Sequence, residues 1–254
     1  MLPKLRIILL GIVLGVAAVN LPQTKAFYSE ILDRFDNRPA VSVLFLGNSR
    51  TYYNDMPYMV RKIADSAHSP KKYLITIYAR GGARLEDLWN SSAVQDLLTQ
   101  KWDYVVLQGG SSEQANDTMN ASFQMYGAKL VSASKAAGAV PVLLVAWKCS
   151  DDYYPQLKSI APYFYDMIQA SYSNLAQTSG AASVNVGRVW EKLRVASPEP
   201  LMMDGNHPTL RASYLVALMF YHFFSDDDLT HVTYVPDGVS PDDANMIKNA
   251  AQRW

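Results

Sequence analysis

The stretch VSVLFLGNSRTYYN, residues 41–54, decides the reading of the fold. Residues 41–46 are almost entirely apolar and β-prone, the composition of a strand covered on both faces. Gly47-Asn48-Ser49 interrupts the run, and Asp55-Met56-Pro57 opens a helix. A strand ending in a small tight turn that bears a serine holds that hydroxyl at the carboxyl edge of a sheet. Open α/β folds place their sites at that edge. Serine is also an ordinary turn or cap residue, so the rest of the chain must decide between the two readings.

The pattern repeats outward from this stretch. Residues 55–67 carry apolar side chains at helical spacing (Met56, Met59, Val60, Ile63, Ala64, Ala67). Residues 74–79 read as a second strand, stopped by Gly81-Gly82, and 85–98 as mostly helix. Residues 104–107 form a third strand before Gly109-Gly110, and 118–137 a helix closed by Gly138. A fourth strand is expected over 140–146, a helix over 163–178 and a short fifth strand over 182–186. Helices near 210–224 and 242–253 complete the chain. Strands alternating with helices, each strand a near-continuous apolar run, predict an α/β fold. The expected form is a three-layer α/β/α sandwich, flavodoxin-like, on a five-stranded parallel sheet, with one domain over 41–254.

Composition narrows the function classes. The 254 residues are 49% apolar, enough for one substantial core. Twenty-three basic and 23 acidic residues cancel with no basic block, which argues against a nucleic-acid partner. Cys149 is the only cysteine, so an internal disulfide framework and a cysteine zinc cage are excluded. At the N-terminus Lys4 and Arg6 precede an apolar run over 7–19, followed by Asn20 and Gln23-Thr24-Lys25. That is the layout of a charged n-region and an h-region, and the run is shorter than the roughly 20 residues of a full span. Residues 1–26 are therefore read as a signal peptide or an N-terminal membrane anchor and 27–40 as a tether. The expected location is exported, periplasmic or extracellular, either free or held at the inner membrane.

Three strand ends carry polar chemistry: Gly47-Asn48-Ser49, Arg80-Gly81-Gly82 and Gln108-Gly109-Gly110-Ser111-Ser112-Glu113. In a parallel sheet these ends converge on one rim. Near the C-terminus, Asp204-Gly205-Asn206-His207-Pro208 precedes a helix, with a carboxylate three residues from an imidazole. An imidazole oriented by a carboxylate can take the proton of a serine hydroxyl. Glycine N–H groups and the Gln108 amide are candidate oxyanion donors. Each residue also has a plain structural role open to it: Asp204 as a cap, His207 as a loop end, the glycines as backbone freedom. Arg50, Arg80 and Arg84 stand beside the site, as anion or sugar contacts or as partners of Glu86, Asp87 or Glu113. Tyr52, Tyr53, Tyr153 and Tyr154 suit sugar stacking or a core boundary. No H-E-x-x-H, Walker A, G-x-G-x-x-G or G-x-S-x-G motif occurs.

Taken together, GNS after the first strand, a glycine after the second, a polar block after the third and D-x-x-H-P near the end resemble the SGNH (GDSL-type) hydrolase superfamily. The resemblance covers about residues 41–224. It implies that Ser49 is the nucleophile, His207 the general base and Asp204 its orienting carboxylate. It further implies an oxyanion hole from Ser49, Gly82 and a side-chain amide. Asn48 stands where the family usually has aspartate. The third block departs from the usual G-x-N-D and is similar to the Q-G-E-S-N block of sialate and xylan O-acetylesterase relatives, which points to Gln108, with Asn116 as the other choice. Asn48, Arg50 and Arg80 are the candidate substrate contacts. The implied activity is serine esterase chemistry on a short acyl group, acetyl foremost, of a carbohydrate or cell-envelope polymer, without metal or organic cofactor. An O-acyltransferase acting on an exported polysaccharide and a non-catalytic carbohydrate-binding protein are the alternatives.

Overall fold

The computed structural model describes residues 36–254; the expected leader and most of the tether fall on 1–35, outside the described residues. The first strand, β1, runs Ala40–Gly47, and the others are β2 Lys72–Ala79, β3 Tyr104–Leu107, β4 Val140–Leu144 and β5 Ala182–Val184. All neighbours pair in parallel, in the order β2-β1-β3-β4-β5. This is the flavodoxin-like arrangement, and its topological switch point lies between β1 and β3.

The strands alternate their apolar side chains between two cores. Val43 and Phe45 of β1, Val106 of β3 and Val142 and Leu144 of β4 face one layer. That layer holds α2 (Met56–Ser66), α7 (Val186–Ala196), α8 (Leu210–Ser225) and α9 (Pro241–Gln252). Leu44, Leu46, Val105, Leu107 and Leu143 face the other. It holds α3 (Leu85–Trp89), α4 (Ser92–Leu98), α5 (Asp117–Ala136) and α6 (Ala161–Ser179). Period-2 side chains between two helical layers are why the strands read as continuous apolar runs. Helix α8 is buried on almost every side from Arg211 to Tyr221 because it packs on α2 and α9 as well as the sheet.

Two segments differ from expectation, and a third, 85–98, is mostly helix as expected but in two pieces. Residues 85–98 are two helices broken at Asn90-Ser91, where the Ser91 hydroxyl bonds the Tyr78 hydroxyl at 2.7 Å. Short polar side chains offer the backbone such exits from a helix. Strand β5 stops at Val184, and the Asn185 side chain accepts from Arg188 N–H at 3.0 Å, capping the unforeseen α7. Val186, Val189, Trp190 and Leu193, all buried, are spaced for that helix. Finally, Ser49 opens a short helix of its own, α1 (Ser49–Tyr52), whose N-cap is Asn48.

That short helix requires a glycine before it. A Cβ on Gly47 would lie 2.2 Å from Thr51 Oγ1 and 3.0 Å from Gln108 Oε1, two atoms already bonded to each other at 3.0 Å. We predict that Gly47→Ala costs about 1–3 kcal/mol, the usual range for overpacking a tight site. The lowered urea midpoint reads this directly, and an unchanged midpoint would refute it.

Candidate active site

The ends of β1, β2 and β3 lie level: Gly47 pairs with Ala79, and Gln108 N–H donates to Leu46 O at 2.9 Å. The loops that follow therefore meet at the switch point. Asn48 fastens them. Its Nδ2 donates to Ala83 O at 3.0 Å and Gly109 O at 3.1 Å, and its Oδ1 accepts from Arg50 N–H at 3.1 Å. One buried amide thus joins the three strand-end turns, and Asn48 also forms part of the cleft wall beside Ser49.

Ser49, the first residue of α1, turns its hydroxyl toward the loop before α8. His207 Nε2 lies 2.9 Å from Ser49 Oγ, and its Nδ1 lies 2.7 Å from Asp204 Oδ2. The second Asp204 oxygen accepts the N–H groups of Asn206 at 3.0 Å and His207 at 2.8 Å. Desolvation alone would raise this carboxyl, but the bonds from the His207 backbone, its ring and Asn206 outweigh it and hold the group at about 2. An ionised carboxylate at Nδ1 favours the tautomer with its proton there, which would leave Nε2 to accept from the serine.

Tyr53 supports the imidazole from one side, stacked on His207 with centroids 4.4 Å apart and planes at 14°. Two successive left-handed residues, Asn54 (φ 55) and Asp55 (φ 54), bring it there. Asn54 Nδ2 holds that strained turn to Pro208 O at 3.1 Å and Ser213 Oγ at 2.9 Å. The sequence shows Tyr53 only as one of many tyrosines; its stacking role depends on this turn.

The residues form a cleft of about 700 Å³ lined by Ser49 and His207, by Gly81, Gly82 and Gly110, and by four tyrosines, Tyr52, Tyr53, Tyr153 and Tyr154. The N–H groups of Ser49 and Gly82 take no partner among the described residues. Gly82 holds φ +71, the left-handed region that favours glycine.

Four expected side chains lie outside the cleft. Gln108 is fully buried and outside the cleft lining; its Oε1 accepts from Asn48 N–H at 3.1 Å and Thr51 Oγ1, and its Nε2 turns to Gly109 O. It braces the serine turn from below, which corrects its expected place as an oxyanion donor. Asn116 caps α5, accepting from Met119 N–H at 2.9 Å, and is likewise outside the cleft. Arg50 is 1% exposed, so it cannot touch a substrate. It lies behind Ser49, with Nε and Nη2 on Asn206 Oδ1 at 3.0 and 2.6 Å and Nη1 on Trp147 O at 2.7 Å. Arg80 is exposed, 3.5 Å from Asp87, and does not line the cleft.

Glu113 joins the second and third turns from beneath: its carboxylate accepts Leu85 N–H at 3.3 Å and Gly110 N–H. Burial pushes its carboxyl up to about 7, against the pull of those two N–H groups and of Arg84. The folded protein therefore binds this proton more tightly than the unfolded chain, and stability falls as pH rises from about 4.5 to about 7. The opposite contribution of Asp204, gained as pH rises, is complete below that window. We predict that Glu113→Gln removes a decline on the order of 3 kcal/mol between these pH values. Urea unfolding of both proteins across the window tests it; parallel slopes would sink the prediction.

Among the described residues no group of three His, Cys, Asp or Glu could hold a metal, and no helix is long and apolar enough to cross a membrane.

A 2-1-3-4-5 parallel sheet with a Ser–His–Asp series between its first strand end and a C-terminal D-x-x-H loop defines an α/β protein of the serine-hydrolase kind. No protein-family model and no curated protein matches the chain. Solved structures do. A candidate SGNH hydrolase from Slackia heliotrinireducens matches with TM-score 0.63 and 29% identity over 73% of this chain and 99% of its own. A DUF4886 family protein from Bacteroides uniformis matches with TM-score 0.72 and 17% identity over 84% and 93%. A variant of a Geobacillus acetyl-xylooligosaccharide esterase matches in fold, with TM-score 0.55 and 14% identity over 79% and 98%. The chain belongs to the SGNH hydrolase superfamily, a class of serine ester hydrolases.

Proposed function

We propose that the protein removes a short acyl group, acetyl foremost, from an acylated carbohydrate or cell-envelope polymer through an acyl-enzyme on Ser49. The carrying observation is the unbroken series from Ser49 Oγ to His207 Nε2 at 2.9 Å and from Nδ1 to Asp204 at 2.7 Å, opening on the cleft. His207 Nε2 takes the Ser49 proton as Oγ bonds to the ester carbonyl carbon. The free N–H groups of Ser49 and Gly82 receive the oxyanion. Collapse breaks the carbon–alkoxy bond, His207 returns the proton to the leaving alcohol, and water repeats the cycle to release the acid.

Four tyrosines in the cleft wall favour a sugar as the alcohol part, since each offers a flat face with a polar tip. The fold shared with an acetyl-xylooligosaccharide esterase supports the same direction. The charged and apolar blocks of residues 4–19 support an exported protein, with the leader cleaved or kept as an anchor.

Acetate release from 4-nitrophenyl acetate and acetylated xylan, with acid-quenched peptide mass spectrometry, tests the reading. An acetyl adduct on the Ser49 peptide, absent in Ser49→Ala, is the expected result. Wild-type turnover no greater than that of Ser49→Ala would overturn it.

A further inference from the structure

The cleft is charged on one side only. Among its lining residues Arg84 is the single permanent charge, and no aspartate or glutamate joins it. Arg84 is placed there by the fold. A Cβ on Gly110 would lie 3.0 Å from Arg84 Cγ, so the arginine stem occupies the space that a side chain on the third turn would need. The stem thus crosses Gly110, and the residue stands two positions after Gly82 on the oxyanion side.

The acids nearest Arg84 are otherwise engaged. Asp87 accepts the Arg84 backbone N–H at 2.9 Å and pairs with Arg80 at 3.5 Å. Glu113 lies buried, its two oxygens taken by Leu85 N–H and Gly110 N–H. The Arg84 guanidinium itself makes no ion pair among the described residues and remains exposed to the cleft. Behind the serine, Arg50 adds a second cation that contacts only carbonyl oxygens and the Trp147 ring. Substrate entering this cleft meets the Arg84 cation in its wall, while the ionised Asp204 is committed to His207 and the N–H groups of its own loop.

We propose that the ester substrate is anionic, and that Arg84 binds a carboxylate on the sugar that bears the acyl group. A planar fork of N–H donors in a cleft wall that also holds four tyrosines is suited to a uronic-acid-type ring, one face stacked and its carboxylate paired. This deepens the esterase reading and rests on it for turnover, though not for binding.

The test compares monoacetylated methyl glucopyranosiduronates with the matching neutral glucopyranosides as substrates of the full chain. We expect KM for the uronate to be about tenfold the lower, the size of one charge-assisted contact. Arg84→Gln should raise the uronate KM about tenfold, leave kcat within about twofold and leave the neutral ester unchanged, with Arg84→Lys recovering part of the loss. Equal KM values in the wild type, or a loss in Arg84→Gln shared by both esters, would overturn the proposal. If neither ester is turned over, the esterase reading stands or falls on 4-nitrophenyl acetate and acetylated xylan, and calorimetric binding of the deacetylated uronate decides the anion site alone. Binding kept in Ser49→Ala and lost in Arg84→Gln supports it; equal binding to wild type and Arg84→Gln refutes it.

Discussion

Ser49→Ala and His207→Ala are each expected to lower kcat on an acetyl ester by about 10³–10⁴-fold or more, with the double variant little worse than either single one. The non-additivity follows from the geometry. In the proposed reaction Oγ and Nε2, 2.9 Å apart, share one proton transfer, so removing either would remove that step entirely. What survives is substrate binding and the N–H pair at Ser49 and Gly82, neither of which depends on the imidazole. Asp204→Asn separates a third contribution. The carboxylate accepts three N–H groups, two from the backbone of its own loop and one from the ring. An amide can replace only some of these, and it offers the ring its NH₂ in one of its two orientations, favouring the wrong tautomer. The expected result is a large fall in kcat with KM nearly unchanged. Because Asp204 is held at about 2, its ionisation should not shape the pH–rate profile anywhere above about pH 4. Additive losses in Ser49→Ala/His207→Ala would show that the two side chains act separately and would defeat this account.

The parts legible in the sequence are those in which one local signal suffices. A parallel strand covered on both faces needs an apolar run, and β3 occupies the expected residues 104–107. Gly47-Asn48-Ser49 is legible because a turn this tight admits only small residues, as the contact between a Gly47 Cβ and Thr51 makes plain. Asp204 and His207 are legible because their pairing is local, three residues apart. Gln108 was harder. Its position at a strand end is correctly read, yet whether its amide faces the cleft or the serine turn depends on Asn48 N–H and Thr51, some 60 residues away in sequence. Arg50 illustrates the same limit in reverse. An arginine beside a nucleophile reads as an exposed cation, because burying one without a carboxylate is expensive. Only the carbonyls of Asn206 and Trp147 and the Trp147 ring, all distant in sequence, make the buried position tenable. Helix α7 is hidden for a different reason: its 186, 189, 190, 193 spacing is helical, but the apolar run of the fifth strand reads on into Val186, past the cap at Asn185.

Replacing Arg50 should separate activity from stability. Its guanidinium ties the residue after Ser49 to the residue before His207, the proposed nucleophile and base, through the two bonds to Asn206 Oδ1. The bridge is backed by an indole pair. Arg50 lies 5.0 Å from the Trp147 ring, Trp147 Nε1–H donates to Asn206 O at 3.0 Å, and Trp190 stacks on Trp147 at 4.1 Å with planes 3° apart. In Arg50→Met, two buried carbonyl oxygens lose their donors, at roughly 1–3 kcal/mol each. Relief of a buried charge, whose desolvation already lowers its affinity for the proton, offsets part of that cost. Net destabilisation of only about 1–3 kcal/mol is therefore expected. Catalysis has no such offset, because the Ser49–His207 distance is set across this bridge and a misplacement of about 1 Å can cost about 100-fold. Arg50→Lys keeps the charge but cannot bond Asn206 in a fork, so it should recover stability more than kcat. Asn206→Ala should lower kcat similarly and combine with Arg50→Met non-additively, since both cut the same connection. Measured kcat, KM and urea midpoints for the wild type, the three single variants and the double variant decide the matter. Parallel losses of kcat and stability across the set would make Arg50 a residue of the core and nothing more, whereas a kcat loss that persists in stable Arg50→Lys assigns it the spacing of nucleophile and base.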